Sequence, residues 1–299
     1  MKILLLGKNG QVGWELQRSL APLGELIALD RHSTPADGGC GDLVDLDGLR
    51  ETVRRLHPTV IVNAAAHTAV DKAESEPELA RSINTLAPGA LAEAAREVGA
   101  LLVHYSTDYV FDGSGTAPWR EGAATGPLSV YGRSKLEGEQ ALIASGVRHL
   151  IFRTSWVYAA RGGNFARTML RLAQERERLT VIDDQWGSPT GAELIADVTA
   201  HAITQAQREP ACGGTYHLAA AGETTWNGYA RFVIDTARAL RPDLPLKVQE
   251  VAQVPTTAFP TPARRPLNSR LDTARLRATF GLALPHWQTG VRRMLAEIL

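Results

Sequence analysis

A tyrosine and a lysine that could carry out acid chemistry lie four residues apart in the segment YGRSK, at Tyr131 and Lys135. On a helix, two residues at this spacing share one face. Reduction of a ketone needs a hydride at carbon and a proton at oxygen, which a phenol about 3 Å from that oxygen can donate. An ordinary phenol, with a pKa of about 10, releases its proton reluctantly, and a nearby ammonium favours the phenolate. The pair therefore indicates proton donation to a carbonyl.

Thr107 supplies a hydroxyl in the segment HYSTD, just after an apolar run that is typical of a buried strand. Ligands of open α/β sheets bind at the carboxyl ends of the strands, so this hydroxyl could hydrogen-bond a substrate oxygen. A tyrosine and lysine four apart often belong to a solvated helix face instead. The hydroxyl, together with a glycine motif upstream, favours the catalytic interpretation.

That glycine motif is G-x-x-G-x-x-G, formed by Gly7, Gly10 and Gly13 between a predicted strand and a predicted helix. Such glycines let backbone amides at a helix N-terminus approach a pyrophosphate, although tight turns also select glycine. Asp30 ends the next strand and could accept hydrogen bonds from the ribose hydroxyls. Arg31 could instead pair with a 2′-phosphate, so NADPH and NADH both stay open as the cofactor.

The elements that would position these residues alternate as short apolar runs and longer amphipathic segments, which is typical of α/β proteins. The predicted strands cover 2–6, 26–29, 60–63, 101–105, 149–153 and 180–182. The predicted helices cover 11–20, 47–56, 78–98, 131–145, 165–176 and 287–299. We expect a Rossmann-type doubly wound parallel sheet with a smaller C-terminal substrate-binding lobe.

The expected boundary lies near residue 154. Residues 1–154 would form the dinucleotide-binding domain and residues 155–299 mainly the substrate-binding lobe, with segments near 180–220 contributing to the first domain. The proline-rich run VPTTAFPTPARRP cannot form a regular helix or a central strand. We interpret it as an ordered loop of the substrate lobe, with a flexible linker as the alternative.

Small residues follow two further strands. The segment GDL, which contains Asp42 and Leu43, follows one extended stretch, and the segment NAAA, which contains Ala65 and Ala66, ends another. Small side chains at the carboxyl end of a strand let a flat ligand lie against the backbone. Close packing of a helix on the sheet explains the alanines equally well.

Composition limits the partners. Lys plus Arg and Asp plus Glu number 32 each, so no net charge would attract nucleic acid or an acidic membrane. Cys40 and Cys212 lack the spacing of a disulfide framework or a zinc site, which favours a reducing compartment. No stretch approaches the roughly 18 apolar residues of a membrane-spanning helix. We expect a cytoplasmic protein with a small-molecule partner and neither a nucleic-acid nor a membrane partner.

Six motifs resemble those of the extended short-chain dehydrogenases, and within them the family of dTDP-4-dehydrorhamnose reductases, over the whole chain. They are GKNGQVG at 7–13, NAAAHTAVDKAE at 63–74, HYSTDYVFDG at 104–113, YGRSK at 131–135, FRTSWVY at 152–158 and PTPARRPLNSRLDT at 260–273. The resemblance implies NAD(P)H-dependent reduction of the C4 keto group of dTDP-4-dehydro-L-rhamnose, with a dTDP-sugar as partner.

The resemblance also implies roles for individual residues. Tyr131 would be the proton donor, Lys135 would bind the nicotinamide ribose and bias the phenol, and Thr107 would tune the acid and hold the sugar. Beside the three glycines and Arg31, the residues that would line the cofactor groove are Gln11, Val12, Asp30, Asp42, Leu43, Ala65, Ala66, Thr68, Tyr105, Tyr131 and Lys135.

Other matching positions would face the sugar nucleotide. Asp108 and Trp156 correspond to sugar-nucleotide contacts, although an indole at Trp156 could equally belong to the core. Arg264 and Arg265 could bind the diphosphate through their guanidinium groups or lie on the surface. Some relatives form homodimers around Mg²⁺. The matching carboxylates, which could otherwise be solvated, are Glu15, Glu193 and Glu297.

Two other functions fit parts of the pattern. A nucleotide-sugar epimerase or dehydratase shares the fold, but related dehydratases carry an Asp-Glu pair where this chain has Asp108 followed by Tyr109. A non-catalytic dinucleotide-binding regulatory subunit, as the similar subunit of methionine adenosyltransferase shows, would keep the glycine motif without turnover.

Overall fold

A computed structural model describes all residues, 1–299. The strands are β1 (Lys2–Leu6), β2 (Glu25–Leu29), β3 (Val60–Asn63), β4 (Leu101–Thr107), β5 (His149–Thr154), β6 (Val157–Tyr158), β7 (Arg178–Ile182), β8 (Trp186–Gly187), β9 (Thr190–Gly191), β10 (Gly214–His217), β11 (Thr224–Thr225) and β12 (Glu250–Val254). Six of them form the main sheet in the order β2, β1, β3, β4, β5, β10. Every pair in it is parallel.

The α-helices are α1 (Gln11–Leu20), α2 (Leu46–Leu56), α3 (Val70–Ser75), α4 (Pro77–Arg81), α5 (Ala87–Glu97), α6 (Val130–Ala144), α7 (Phe165–Glu175), α8 (Ala192–Arg208), α9 (Trp226–Leu240), α10 (Ala274–Phe280) and α11 (Trp287–Ile298). A π-helical turn at Ser82–Leu86 joins α4 to α5, so the predicted helix 78–98 exists with one wider turn inside it.

The main sheet is covered on both faces, and β1 shows why. Its side chains alternate in direction, so Ile3 and Leu5 pack with α1 and α8 on one face, whereas Leu4 and Leu6 pack with α2, α5 and α6 on the other. A strand buried on both faces must be apolar throughout. The uninterrupted run Ile3 to Leu6 meets that requirement, and the predicted Rossmann-type fold is confirmed.

The sheet has a switch point beside β1, because the chain crosses to β2 on one side of it and to β3 on the other. A crevice opens at such a point outside the carboxyl ends of the strands. Gly7 follows β1 there and Ala64 follows β3. The glycine motif and the alanine run therefore flank one crevice.

Residues beyond 154 complete the first core. Helices α8 and α10 and strand β10 pack into it through Ile195, Tyr216 and Phe280, among others. The predicted strand at 180–182 forms as β7, but its expected place in the main sheet was wrong, because it pairs with β12 in a separate two-stranded sheet. The sixth place is taken by β10, inside the 180–220 region expected to contribute.

A second core lies around α7, α9 and α11. The C-terminal helix buries Val291, Met294 and Leu295 in it, which confirms the predicted amphipathic face. The proline-rich run is anchored rather than free, because the backbone amide of Thr256 donates to Asp184 at 2.9 Å and Ala263 is buried. The ordered-loop interpretation is therefore confirmed over the linker. None of the helices combines the length and apolar character needed to cross a bilayer.

Candidate active site

Tyr131 lies in the first turn of α6, directly over the turn that follows β4. Ser129 caps the helix by accepting a hydrogen bond from the backbone amide of Gly132 at 3.2 Å. A Cβ atom at Gly132 would lie 2.3 Å from the carbonyl oxygen of Tyr109, so only glycine allows this approach. The contact brings Tyr131 beside Thr107, as the sequence predicted.

The phenol of Tyr131 is held in its protonated form. Burial raises the pKa of Tyr131 to about 12, and the negative charge of Asp108 adds to the rise, whereas the hydroxyl of Thr107 works in the opposite direction. The ring of Tyr109 packs edge-on against that of Tyr131, with centroids 5.6 Å apart. At neutral pH the group can therefore give a proton to a carbonyl oxygen but cannot lose it to water.

Lys135 is buried one turn further along α6, with 2% of its surface exposed. Burial lowers the pKa of Lys135 to about 8, while the carboxylate of Glu139 partly offsets the effect. Its Nζ atom lies 3.2 Å from Nε2 of His104. Lys135 is therefore mostly protonated at pH 7, whereas an exposed lysine is almost fully protonated.

Thr107 and Asp108 form one hydrogen-bonded unit. The hydroxyl of Thr107 donates to Oδ1 of Asp108 at 3.0 Å and accepts from the backbone amide of Tyr109 at 3.2 Å. Burial raises the pKa of Asp108 to about 6, while the nearby hydroxyls of Ser269 and Thr107 act in the opposite direction. The second oxygen of Asp108, Oδ2, is buried without a protein partner, so it can accept from a substrate hydroxyl.

The glycine motif forms a cradle that side chains would fill. Gly7 has a φ of +86°, and a Cβ atom on it would lie 2.7 Å from the backbone nitrogen of Ala65. A Cβ atom on Gly13 would lie 1.9 Å from the carbonyl oxygen of Gly7. Gly10 is the N-cap of α1, whose free amides suit a pyrophosphate. The residues present therefore fit a dinucleotide.

Asp30 lies at the carboxyl end of β2 among polar partners. Its carboxylate accepts from the backbone amide of His32 at 2.8 Å and from the side chain of Asn9, and Nζ of Lys8 is 3.9 Å away. The hydrogen bond from His32 is the main cause that lowers the pKa of Asp30. Arg31 is exposed beside it, so positive and negative groups meet where the adenosine ribose would lie.

The remaining groove candidates differ in where their side chains go. Leu43 is buried in the core, so only its backbone can face a ligand. Nε2 of Gln11 donates to the carbonyl of Gly163 at 2.8 Å, and the hydroxyl of Tyr105 lies 2.8 Å from that of Thr199. Val12 packs against the first core. The carboxylate of Asp42 accepts a hydrogen bond from the backbone amide of Val44. The remaining candidates, Ala65, Ala66 and Thr68, follow β3.

Trp156 is held in an uncommon backbone conformation, with a φ of +48°. Its indole stacks on that of Trp226, with centroids 3.6 Å and planes 14° apart. A Cβ atom on Gly187 would lie 2.6 Å from the indole. Trp156 is half-buried, so it is a packing residue whose indole keeps one side partly open.

The two late arginines behave differently. Nη2 of Arg265 donates to Oδ2 of Asp71 at 2.7 Å, so its guanidinium is already engaged within the protein. Arg264 is exposed and takes part in no ion pair. Of the two, Arg264 is the freer to meet a diphosphate.

The three glutamates expected at a metal are near one another but do not form a site within one chain. Glu15 pairs with Arg18 at 3.5 Å and Glu193 with Arg293 at 3.6 Å. Burial raises the pKa of Glu193, and Glu15 and Glu297 contribute to the rise against Arg293. No group of three His, Cys, Asp or Glu residues is arranged to hold a metal ion.

Known proteins resemble this chain over its full length. The family model described as the RmlD substrate binding domain matches residues 1–299. The dTDP-4-dehydrorhamnose reductase of Escherichia coli (strain K12) is 61% identical over 298 residues, which cover 100% of this chain and 98% of that protein. This chain belongs to the dTDP-4-dehydrorhamnose reductase family.

Solved structures of family members superpose on the whole chain. A dTDP-4-dehydrorhamnose reductase from Clostridium acetobutylicum ATCC 824 has a TM-score of 0.89 at 34% identity and covers 100% of this chain and 99% of its own. One from Bacillus anthracis str. Ames, in complex with NADP, has a TM-score of 0.87 at 33% identity, with 99% of each chain covered. Membership in this family confirms the predicted oxidoreductase class over the epimerase, dehydratase and regulatory-subunit alternatives.

Several residues around the candidate site have no role that the sequence predicts. Trp226 completes the aromatic stack with Trp156, and His104 contacts Lys135. His104 belongs to the motif at 104–113, and its position directly after the apolar run Leu101 to Val103 of a buried strand is the signal that could have identified it. Nothing in the sequence pairs Trp226 with Trp156, because 70 residues separate them.

Proposed function

We propose that this chain transfers a hydride from NADPH or NADH to the C4 keto group of dTDP-4-dehydro-L-rhamnose, giving dTDP-L-rhamnose. The observation that carries the proposal is the protonated phenol of Tyr131, which lies next to Thr107 and one helical turn before the buried Lys135. The glycine cradle that continues into α1 supports the cofactor assignment, and the family relatives support the substrate. We also propose that residues 1–154 mainly bind the cofactor and that residues 155–299 mainly bind the sugar nucleotide.

In this mechanism three residues of the site divide the tasks between them. The reduced nicotinamide supplies the hydride when it is bound. Tyr131 gives its proton to the carbonyl oxygen as negative charge develops there, which is the step that general acids accelerate. The ammonium of Lys135 stabilises the phenolate left behind and holds the ribose. Thr107 keeps the phenol oriented, because its own proton is directed to Asp108.

Binding of the sugar nucleotide is assigned to groups around the phenol. Asp108 offers its unpartnered Oδ2 to a sugar hydroxyl, and the open side of the Trp156 indole offers a flat wall. Arg264 would meet the diphosphate. Arg265 would act through its bond to Asp71, which fixes the loop that carries both arginines.

The decisive experiment is Tyr131→Phe, with NADPH oxidation and dTDP-4-dehydro-L-rhamnose as the assay. Loss of the general acid should lower kcat by about 100- to 10,000-fold, while the dissociation constant of NADPH stays close to the wild-type value. Tyr229→Phe is the matched control, because its buried hydroxyl has no partner and lies in the second core. Unchanged turnover in Tyr131→Phe would remove the proposed mechanism.

Both coenzymes are proposed because Asp30 combines opposing features. Its carboxylate suits the ribose hydroxyls of NADH, whereas Lys8, Arg31 and the amide of Asn9 soften its repulsion of a 2′-phosphate. Comparison of kcat/KM for the two coenzymes tests this directly. A preference above about 100-fold for either one would contradict it, because that corresponds to almost 3 kcal/mol of discrimination.

We propose further that the enzyme works in the cytoplasm as a homodimer, and that any Mg²⁺ is bound between two copies. Cys40 and Cys212 are free thiols, which suits a reducing compartment. Glu15, Glu193 and Glu297 lie together without forming a complete site in one chain, so ligands from a second copy would be needed. Light scattering with and without a chelator, at constant protein concentration, tests both points.

A further inference from the structure

Behind Lys135 lies a buried row of three polar side chains from three neighbouring elements. Nδ2 of Asn63, at the end of β3, lies 3.3 Å from Nδ1 of His104 on β4. Nε2 of the same ring lies 3.2 Å from Nζ of Lys135 on α6. Asn63, His104 and Lys135 are each at most 2% exposed. Bulk water therefore does not reach these contacts.

The direction of each hydrogen bond follows from the first residue of the row. Oδ1 of Asn63 accepts from the backbone amide of Ala65 at 3.2 Å, so the amide nitrogen of Asn63 faces His104 as a donor. Nδ1 of His104 must then accept, and a neutral imidazole carries its single proton on the other nitrogen. Burial first, and then the charge of Lys135, hold the pKa of His104 well below its usual value. The ring is therefore neutral, with an N–H on Nε2.

That N–H points at Lys135. An ammonium group has donors only, so it cannot form a hydrogen bond with Nε2–H, whereas a neutral amine could accept one. The ammonium protons of Lys135 must therefore point away from the ring of His104. The short contact also disfavours the charged form of Lys135. The other buried charge near Lys135 is Glu139 on the same helix, which acts in the opposite sense and is itself bound by Arg153 of β5.

We propose that His104, fixed by Asn63, is a positioning residue that aims the amine of Lys135 and weakens its hold on the proton. The inference rests on the role proposed above for Lys135. It gives the buried histidine a function in the same reaction without contact to the substrate. The amide of Ala65, which holds Asn63 in place, also borders the glycine cradle at Gly7, so the row connects the acid machinery with the cofactor crevice.

The first test needs no activity measurement. NMR of the wild-type protein with ¹⁵N-labelled histidine should show His104 with its proton on Nε2. In Asn63→Asp the new carboxylate still accepts from Ala65 but now also accepts from the ring, so the proton should move to Nδ1. A wild-type ring protonated on Nδ1, or no change of tautomer in Asn63→Asp, would overturn the proposal.

The second test is the pH profile of kcat/KM. The wild-type rate should fall above about pH 8 as Lys135 loses its proton, since the pKa of Lys135 is about 8. In Asn63→Asp the ring accepts from the ammonium, and in His104→Gln the amide oxygen can do so without an added charge. Both variants should move this alkaline limb upward by about one pH unit.

His149→Gln is the matched control, because the ring of His149, at the start of β5, contacts the carbonyl of Val147 and not Lys135, and its profile should coincide with that of the wild type. An alkaline limb unmoved in both test variants would overturn the inference. Lys135→Met separates this failure from a failure of the proposed function. If Lys135→Met keeps turnover and NADPH affinity, the role of Lys135 itself is wrong; if it loses them while the limb stays fixed in the other variants, only the inference about His104 is wrong.

Discussion

Arg265 and Asp71 form an ion pair of 2.7 Å between residues that are 194 positions apart in the sequence. The backbone amide of Ala263 donates to the other oxygen of the same carboxylate at 3.2 Å. Asp71 therefore ties the proline-rich loop to α3, which packs against α6. The pair links the loop that carries Arg264 to the helix that carries Tyr131.

Breaking this pair should affect substrate binding more than stability. Both side chains are partly exposed, and such pairs contribute about 0.2–1 kcal/mol. We expect Arg265→Ala and Asp71→Asn each to raise the KM of the sugar nucleotide about two- to fivefold with little change in kcat. The double variant should be no worse than either single one, because both remove the same contact. Losses that multiply in the double variant would show instead that Arg265 binds substrate independently of Asp71.

Substitutions of two motif glycines should have different effects on stability and on cofactor affinity. Gly13→Ala would place a methyl group 1.9 Å from the carbonyl oxygen of Gly7, whereas at Gly10 the nearest atom would be 3.4 Å away. We expect Gly13→Ala to lower both thermal stability and NADPH affinity. Gly10→Ala should fold normally and bind NADPH at least about tenfold more weakly, because its methyl group enters the space that the pyrophosphate needs.

Gly89→Ala is the control for that pair. Its methyl group would lie 3.5 Å from Cβ of Ala141, an ordinary contact, and alanine is the better helix former by about 1 kcal/mol. Its stability should equal or exceed that of the wild type, with unchanged NADPH affinity. Wild-type affinity in Gly10→Ala would contradict the placement of the pyrophosphate at this helix.

The sequence alone correctly predicts those features that depend only on residues nearby in the chain. The run Ile3 to Leu6 must be a strand buried on both faces, and Gly13 must lie where a helix meets a turn. Tyr131 and Lys135 share a face because of helical periodicity. Each of these predictions needed only the period of a helix or a strand and the conformation of a turn.

The errors and omissions involve contacts between distant segments. The pattern at 180–182 predicts a strand but contains no information on its partner, and its pairing with β12 depends on a segment about 70 residues later. The same holds for the stack of Trp156 on Trp226 and for the engagement of Arg265 by Asp71. Hydrophobic period fixes which face of an element is buried, but it does not fix which element covers that face.

Asp108 should make the stability of the protein depend on pH in a defined window. Burial raises the pKa of Asp108 to about 6 from 3.8, so the folded state holds a proton that the unfolded state has already lost. The protonated carboxyl of Asp108 contributes about 2–3 kcal/mol to the free energy of unfolding. This contribution is fully present below about pH 4 and is lost as the pH rises through about 6. The free energy of unfolding of Asp108→Asn, minus that of the wild type, should rise by this amount between pH 4 and pH 6.5.

Urea unfolding at a series of pH values measures this difference. Asp112→Asn is the control, because hydrogen bonds from Ser114 lower the pKa of Asp112 and its transition lies below the window. The difference in free energy of unfolding between Asp112→Asn and the wild type should stay nearly constant from pH 4 to pH 6.5. If the difference in free energy of unfolding between Asp108→Asn and the wild type also stays constant with pH, the carboxyl of Asp108 has an ordinary pKa and burial beside Thr107 does not raise it.

The ion pair of Glu139 and Arg153 should be the costliest single contact to break near the site. Arg153 donates to Glu139 through Nε at 2.9 Å and Nη2 at 2.6 Å, and the two side chains are 2% and 7% exposed. Removal of one partner leaves a buried charge without compensation, at a cost of about 3–5 kcal/mol. We expect Glu139→Gln to lose about this much in the free energy of unfolding, whereas Glu137→Gln, on the same helix but half-exposed, should lose less than about 0.5 kcal/mol.

Glu139→Gln also removes the charge that supports the proton on Lys135. Its alkaline limb of kcat/KM should therefore move to lower pH, the direction opposite to that expected for His104→Gln. The double variant Glu139→Leu with Arg153→Met removes both charges and should recover much of the stability, since apolar pairs of similar volume often replace buried ion pairs without loss. It should not recover the pH profile, because Lys135 still lacks its carboxylate. Recovery of both properties together would mean that Glu139 acts on Lys135 only by holding the fold.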